Sequence, residues 1–176
     1  MLFRSFQQVY PVMGESIRRR AVSALGDCAG VRVWDLYAGV GETAALLAAR
    51  GAVVDAVESD PPAAREAARG LARWDETVAV HPGRAEILTR ELPPPDLVIA
   101  NPPRTGMATD VVQAIRRAGP RRVVYVSCDP ATLARDLSRM LAERPDGPGY
   151  RLQDVIAFDL FPQTAHVEIV AVLDRV

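Results

Sequence analysis

From residue 31 onward, short apolar runs alternate with helix-patterned stretches, and this alternation constrains the fold more than any other feature of the chain. Residues 31–36, 52–58, 77–81, 96–100 and 121–127 are rich in apolar and β-branched side chains and read as strands. Between them, residues 42–50, 61–73, 84–89, 109–117 and 130–143 carry helix-forming residues, and two of these stretches open on proline. Alternation of this kind calls for parallel strands joined by crossover helices on both faces of a sheet. The last two strand-like runs, 150–158 and 167–173, have no helix between them and are predicted to pair antiparallel. The expected architecture is therefore α/β: a doubly wound, seven-stranded, mostly parallel sheet with a C-terminal antiparallel hairpin. A helix over residues 14–25 lies outside the alternation. It divides the chain into a helical lead-in, residues 1–30, and a main domain, residues 31–176.

Bulk properties exclude several classes. With 176 residues, a formal net charge of −1 and a pI near 6.1, the chain offers no generic grip on nucleic-acid phosphate. Two cysteines, Cys28 and Cys128, are too few for a disulfide framework, a cysteine zinc site or a four-cysteine iron–sulfur cluster within this chain. No metal site is expected. No apolar stretch approaches the roughly 18 residues of a membrane span, and the first residues carry no secretory pattern. A cytoplasmic enzyme is the expectation.

The chemistry clusters at predicted strand ends. Asp35-Leu-Tyr37-Ala-Gly39-Val-Gly41 closes the first strand, where glycines allow a tight turn and close approach of a ligand. It has neither the third glycine of a dinucleotide loop nor a Walker lysine. Glu58 ends the second strand, a place from which a carboxylate commonly binds ribose hydroxyls. A glycine loop plus an acidic second strand end, without phosphate features, points to an adenosyl ligand lacking phosphates, and S-adenosylmethionine fits. Cys128 ends the fifth strand just before a helix. There it reads either as a buried structural thiol or as a nucleophile whose thiolate the helix N-terminus would stabilise. Asn101-Pro-Pro-Arg104 ends the fourth strand as a rigid loop. It resembles the Asn-Pro-Pro-aromatic loop of amino-methyltransferases, but Arg104 replaces the stacking ring.

Taken together, these motifs and the run 158–168 (Phe-Asp-Leu-Phe-Pro-Gln-Thr-Ala-His-Val-Glu) resemble the RNA uracil-5-methyltransferases in order and spacing. The segment Phe6-Gln-Gln8-Val-Tyr10 resembles that family's Phe-x-Gln-x-Asn lead-in. The resemblance implies a class I methyltransferase fold, S-adenosylmethionine as methyl donor and a uridine in tRNA or rRNA as acceptor. It implies cofactor contacts from Gln8, Tyr37, Glu42 and Glu58, with Gly39 in the loop. It makes Cys128 the nucleophile that adds to C6 and Glu168 the base. Asn101 stands where the family has an aspartate near cofactor and base, and Arg104 is placed to stabilise the enolate oxygen. Those residue types suit the chemistry. C5 of uracil attacks a methyl only after a thiolate has added at C6, and the C5 proton must then be removed.

Other side chains carry plainer expectations. Cys28 and Trp34 read as packing, His81 as incidental and His166 as structural. Trp74 reads as surface packing or a cover for the adenine. Arg18 to Arg20 read as a solvated helix face or a phosphate contact. Departures from the family are Asn101, Tyr10 and Glu42, together with the absence of an RNA-binding β-barrel. RNA recognition is therefore expected from a separate or missing domain. Two rival readings stay open: methylation of another nucleobase position (an exocyclic amine or cytosine C5), and a non-catalytic cofactor-binding accessory domain.

Overall fold

A computed structural model describes residues 11–142, 149–159 and 167–176. Strands β1 (Arg32–Leu36), β2 (Val53–Glu58), β3 (Val78–Pro82), β4 (Leu97–Ala100) and β5 (Arg122–Ser127) are joined by crossover helices. These are α2 (Glu42–Ala48), α3 (Pro61–Gly70), α4 (Ala85–Leu88) and α5 (Thr109–Ala118). Then come α6 (Pro130–Leu141), β6 (Tyr150–Asp159) and β7 (Val167–Arg175), with α1 (Pro11–Ala24) ahead of them all. The strands form one seven-stranded sheet in the order β3-β2-β1-β4-β5-β7-β6. Its first five strands are parallel, and β7 runs antiparallel to both neighbours. The expected architecture holds, with element ends within a few residues of those read from the sequence.

Strand alternation divides the core in two. Leu97 and Ile99 of β4, Val124 and Val126 of β5, and Val170 and Val172 of β7 face a cluster under α1, α2 and α3. Val98, Val123, Tyr125 and Leu173 face a second cluster under α5 and α6. Period-2 geometry makes the central strands apolar on both faces for most of their length, because helices cover both faces, with Asp35 of β1 and Asp55 of β2 as buried exceptions. Helix α1 is integral to the first cluster: its Ile17, Ala21 and Val22, and Leu25 just after it, are buried there.

One helix ends earlier than its sequence suggested. The stretch 61–73 breaks after Gly70 into a 3₁₀ turn, Ala72–Trp74. The break turns Leu71 inward beneath the β1–α2 loop, where an added Cβ on Gly41 would lie 2.8 Å from Leu71 Cδ1. His81 is more than incidental. Its Nε2 lies 2.9 Å from Asp55 Oδ1, and Arg32 Nη1 donates to Asp55 Oδ2 at 2.6 Å. This triad ties β1, β2 and β3 across the sheet and pairs a carboxylate that is 4 % exposed. Cys28 (1 % exposed) and Trp34 (1 %) are packing residues as expected, the Trp34 indole N–H donating to Pro93 O at 3.0 Å.

Candidate active site

Strand order reverses between β1 and β4, and ligands bind open α/β sheets at the C-terminal ends of strands beside such a switch point. A cleft of 1240 Å³ opens there. Its walls include Asp35, Tyr37, Glu58, Asn101, Cys128 and Glu168. Residues far apart in sequence meet because parallel strands present all their C-terminal ends on one edge, and antiparallel β7 begins at that same edge.

The β1–β2 end is acidic and conformationally specialised. After β1, Tyr37 takes φ +64, the one positive-φ non-glycine among the described residues, followed by Gly39 at +57 and Gly41 at +84. Nothing lies within 4 Å of where a Gly39 Cβ would stand, so this stretch of backbone opens onto the cleft. Glu58 secures the turn: Gly39 N–H donates to its Oε2 at 2.8 Å and Asp60 N–H to its Oε1 at 2.6 Å. Burial pushes the Tyr37 phenol up to about 12. Glu42 accepts from Arg18 Nη2 at 3.0 Å. Arg19 and Arg20 pair with Glu15 and Asp154, so the arginine run is engaged in ion pairs.

Asp35 was not singled out from the sequence. Its side chain is 2 % exposed; Ala44 N–H donates to the carboxylate, and Oδ2 has no hydrogen-bond partner among the described residues. Burial foremost, with the neighbouring Glu58 charge adding to it, raises the carboxyl from its ordinary 3.8 to about 7. A buried unsatisfied carboxylate oxygen on a cleft wall is costly unless something pairs it. The available signal was an acidic residue inside an otherwise apolar strand.

At the β4–β5 end, Asn101 through Met107 form the loop that the prolines promised, and Asn101 is exposed in the cleft. Cys128 follows β5 and is half-buried. Ser127 pairs with Ile169 across the antiparallel ladder, so the next step of that register sets Cys128 opposite Glu168. Arg104 lines the same cleft as Cys128, and its positive charge favours the thiolate. Strand β7 is interior, between β5 and β6, and Glu168 is 8 % exposed. An edge-strand position for Glu168 is thereby excluded. Of the residues marked in the sequence, Tyr37, Gly39, Glu42, Glu58, Asn101, Arg104, Cys128 and Glu168 all line this one cleft. Gln8 and His166 lie outside the described residues. Trp74 packs beside the first core cluster with the Arg73 guanidinium 3.7 Å over its ring, and it is not part of the cleft wall.

Around Cys128, burial and charge act against the thiolate that the helix N-terminus was expected to favour. Burial raises the Cys128 thiol above its ordinary value and the Glu168 charge adds to this, while Arg104 acts in the opposite direction. The helix N-terminus is already taken: Asp129 caps α6, its Oδ1 accepting Thr132 N–H at 2.8 Å. Removing the Glu168 charge should therefore lower the thiol pKa. Glu168→Gln is expected to speed Cys128 alkylation by iodoacetamide at pH 7.5 a few-fold, about 3 to 10 times. An unchanged or slower rate would show that the Glu168 charge is not felt at the sulfur.

Among the described residues no helix is long and apolar enough to cross a membrane, and no group of three or more His, Cys, Asp or Glu side chains could hold a metal. Comparison with known proteins agrees with the geometry. Residues 95–176 match the family model described as tRNA (Uracil-5-)-methyltransferase. An uncharacterized RNA methyltransferase of Streptomyces coelicolor is 41 % identical over 175 residues, 96 % of this chain and 37 % of that protein. The Pyrococcus abyssi tRNA (uracil-54, C5)-methyltransferase, solved with S-adenosyl-L-homocysteine, superposes with a TM-score of 0.81 at 31 % identity. That superposition covers 97 % of this chain and 40 % of the archaeal one. A Geobacter metallireducens precorrin-6y C5,15-methyltransferase shares the fold, with a TM-score of 0.73 at 16 % identity over 98 % of this chain and 94 % of that one. The chain thus spans about two fifths of the S. coelicolor and P. abyssi proteins.

Proposed function

The chain belongs to the tRNA (uracil-5-)-methyltransferase family, and from that premise we propose that it transfers a methyl group from S-adenosylmethionine to C5 of a uridine in tRNA or rRNA, in the cytoplasm. The observation that carries this reading is that Cys128 and Glu168 meet in one cleft, one step beyond the last β5–β7 pair, Ser127–Ile169, with Arg104 in the same cleft wall. A thiol nucleophile beside a carboxylate base is the pair that C5 alkylation of a pyrimidine needs.

The residues present fit the cofactor. A sulfonium and an ammonium are cations, and this end of the cleft carries Asp35 with an unsatisfied oxygen together with Glu58. A carboxylate has about four acceptor sites. Glu58 spends two on backbone N–H groups and one on the Ser59 hydroxyl, leaving about one for a ribose hydroxyl. Tyr37 and the open backbone at Gly39 frame the same wall. Glu42 and Gln8 complete the proposed contacts, and Asn101 lies between this end and the acceptor end. The cleft volume exceeds the roughly 300–1,000 Å³ of a single small-molecule pocket, leaving room for a nucleotide beside the cofactor.

In this mechanism the Cys128 thiolate forms a bond to C6. The C5–C6 π pair moves toward C5 and O4 as an enolate, which the Arg104 guanidinium is charged to stabilise. When bound, S-adenosylmethionine supplies the electrophilic methyl that C5 takes. Glu168 then removes the C5 proton; the C5–H electron pair restores the double bond and expels the Cys128 thiolate. Access to both faces of C5 and C6 requires a uridine out of its stack. With a net charge of −1 the chain supplies little phosphate attraction of its own, so a further RNA-recognition domain or partner is part of the proposal.

Mass spectrometry of the protein with S-adenosylmethionine and an RNA carrying 5-fluorouridine tests this directly. Fluorine at C5 cannot leave as a proton, so a covalent adduct is expected, and Cys128→Ala should eliminate it. Methylation of unfractionated RNA that persists in Cys128→Ala would instead indicate another nucleobase position. Cofactor binding with no methylation of any RNA would indicate an accessory domain.

A further inference from the structure

Asp136 lies on α6, two turns beyond Cys128, and the chemistry above does not use it. Its side chain is 0 % exposed, yet it accepts four hydrogen bonds. Oδ2 takes the Met107 N–H at 2.8 Å and the Tyr125 hydroxyl at 2.9 Å. Oδ1 takes Arg135 Nε at 2.9 Å and Arg139 Nη1 at 3.2 Å. Arg135 Nη2 also donates to Thr105 O at 2.8 Å. A carboxylate has about four acceptor sites, so Asp136 is saturated. Gly106, between the two anchored residues, takes φ +75, and a Cβ there would collide with Asp136 Oδ2 and Arg135 Nη2. The loop is thus seated on the carboxylate with no side chain intervening.

What that loop carries gives the arrangement its meaning. Met107 and Thr105 are the fixed points, and Arg104 is the next residue toward Asn101. Arg104 lines the cleft together with Cys128, and its charge favours the thiolate. Tyr125 belongs to β5, the strand that delivers Cys128. One buried charge therefore joins β5, α6 and the loop around the reacting sulfur. We propose that Asp136 is a positioning residue for the reaction: its carboxylate fixes the 104–107 loop against β5 and α6 and so holds the Arg104 charge in the cleft wall that Cys128 shares. This rests on the reading of Cys128 as the nucleophile.

The test is the pH profile of Cys128 alkylation by iodoacetamide, followed by peptide mass mapping on the free protein, with neither cofactor nor RNA. Asp136→Asn presents a single oxygen where four donors converge. Its Cys128 profile is expected to move to higher pH, with the rate at pH 8 falling about threefold or more. The dissociation constant for S-adenosylhomocysteine should stay within about twofold of wild type. Arg104→Ala should slow alkylation similarly, and Asp136→Asn should add little in the Arg104→Ala background, because both act through the Arg104 charge. Tyr125→Phe removes one donor but leaves both loop anchors, so Cys128 reactivity should not change. If Asp136→Asn does not fold, Arg135→Lys keeps the charge, gives up the planar fork that spans Asp136 and Thr105 O, and should slow alkylation in the same direction. The proposal is overturned by a folded Asp136→Asn or Arg135→Lys with the wild-type profile, or by effects of Asp136→Asn and Arg104→Ala that add in full. Failure of the wild-type protein to methylate RNA would count against the methyltransferase reading instead and leave this result standing.

Discussion

Cys128→Ala is expected to abolish methyl transfer to RNA, with kcat falling at least about 10⁴-fold, or roughly 5 kcal/mol of transition-state stabilisation. Without a thiolate at C6, no carbanion character develops at C5, and no other side chain in the cleft can substitute. Cofactor affinity should stay within about twofold, because Cys128 stands at the acceptor end and the acidic pair at the other. Glu168→Gln should stop the reaction at a later point. The sulfur can still add and the methyl can still be taken, but the C5 proton has no base. The expected product is a covalent protein–RNA adduct that accumulates with ordinary uridine and survives denaturing electrophoresis. Turnover by Glu168→Gln at more than about a tenth of the wild-type rate would remove Glu168 from the role of base. Opposite adduct behaviour in the two variants, none in the first and accumulation in the second, separates nucleophile from base in a single gel.

Asp35 should make the free protein lose stability as pH rises from 4 to 7.5. Its folded-state carboxyl is raised from 3.8 to about 7, so the folded state holds a proton that the unfolded chain releases earlier. A raised folded-state pKa contributes stability that is fully present below the unfolded value near 3.8. That stability fades as pH climbs through the interval to about 7, by as much as about 4 kcal/mol. Asp35→Asn removes the titration. Urea unfolding of both proteins at pH 4 and pH 7.5 measures the difference, and carboxylates elsewhere in the chain cancel in the comparison. The variant should gain on wild type by roughly 2–4 kcal/mol across that range. Cofactor binding should run the other way. A cationic ligand pairs with the ionised form, so S-adenosylmethionine should bind wild type more tightly above pH 7 than below, while Asp35→Asn should bind weakly and with little pH dependence. A wild-type affinity that is flat between pH 6 and 8 would take Asp35 out of the cofactor site.

The order of elements was legible because periodicity and punctuation are local. Prolines at the starts of α3 and α6, apolar β-branched runs and turn-forming glycines mark their own positions. The strand-end residues were legible for a related reason: in a parallel sheet, the residue that closes each strand faces the ligand edge. That rule alone brings Tyr37, Glu58, Asn101 and Cys128 to one cleft. The helix ends were less legible. The break after Gly70 depends on Leu71 packing beneath Gly41, about thirty residues earlier in the chain.

Sequence by itself determined the fold class, the strand ends that line the cleft and the cysteine among them. Only tertiary structure decided the electrostatics around them. Whether a carboxylate is solvated, paired or stranded depends on its depth in the assembled sheet and on neighbours from distant segments, and neither has a local signature. Asp35 and Asp136 are both buried aspartates. One lines the cleft and is left with a buried oxygen that has no partner among the described residues, and the other is saturated by Met107, Tyr125, Arg135 and Arg139. The same holds for Cys128. Its strand–helix setting suggested a stabilised thiolate, but Asp129 occupies the helix N-terminus, and the insertion of β7 beside β5 sets the Glu168 charge against the sulfur. Charge interactions act through space at a range set by burial, so they are fixed by which strands become neighbours rather than by the order in which residues are joined.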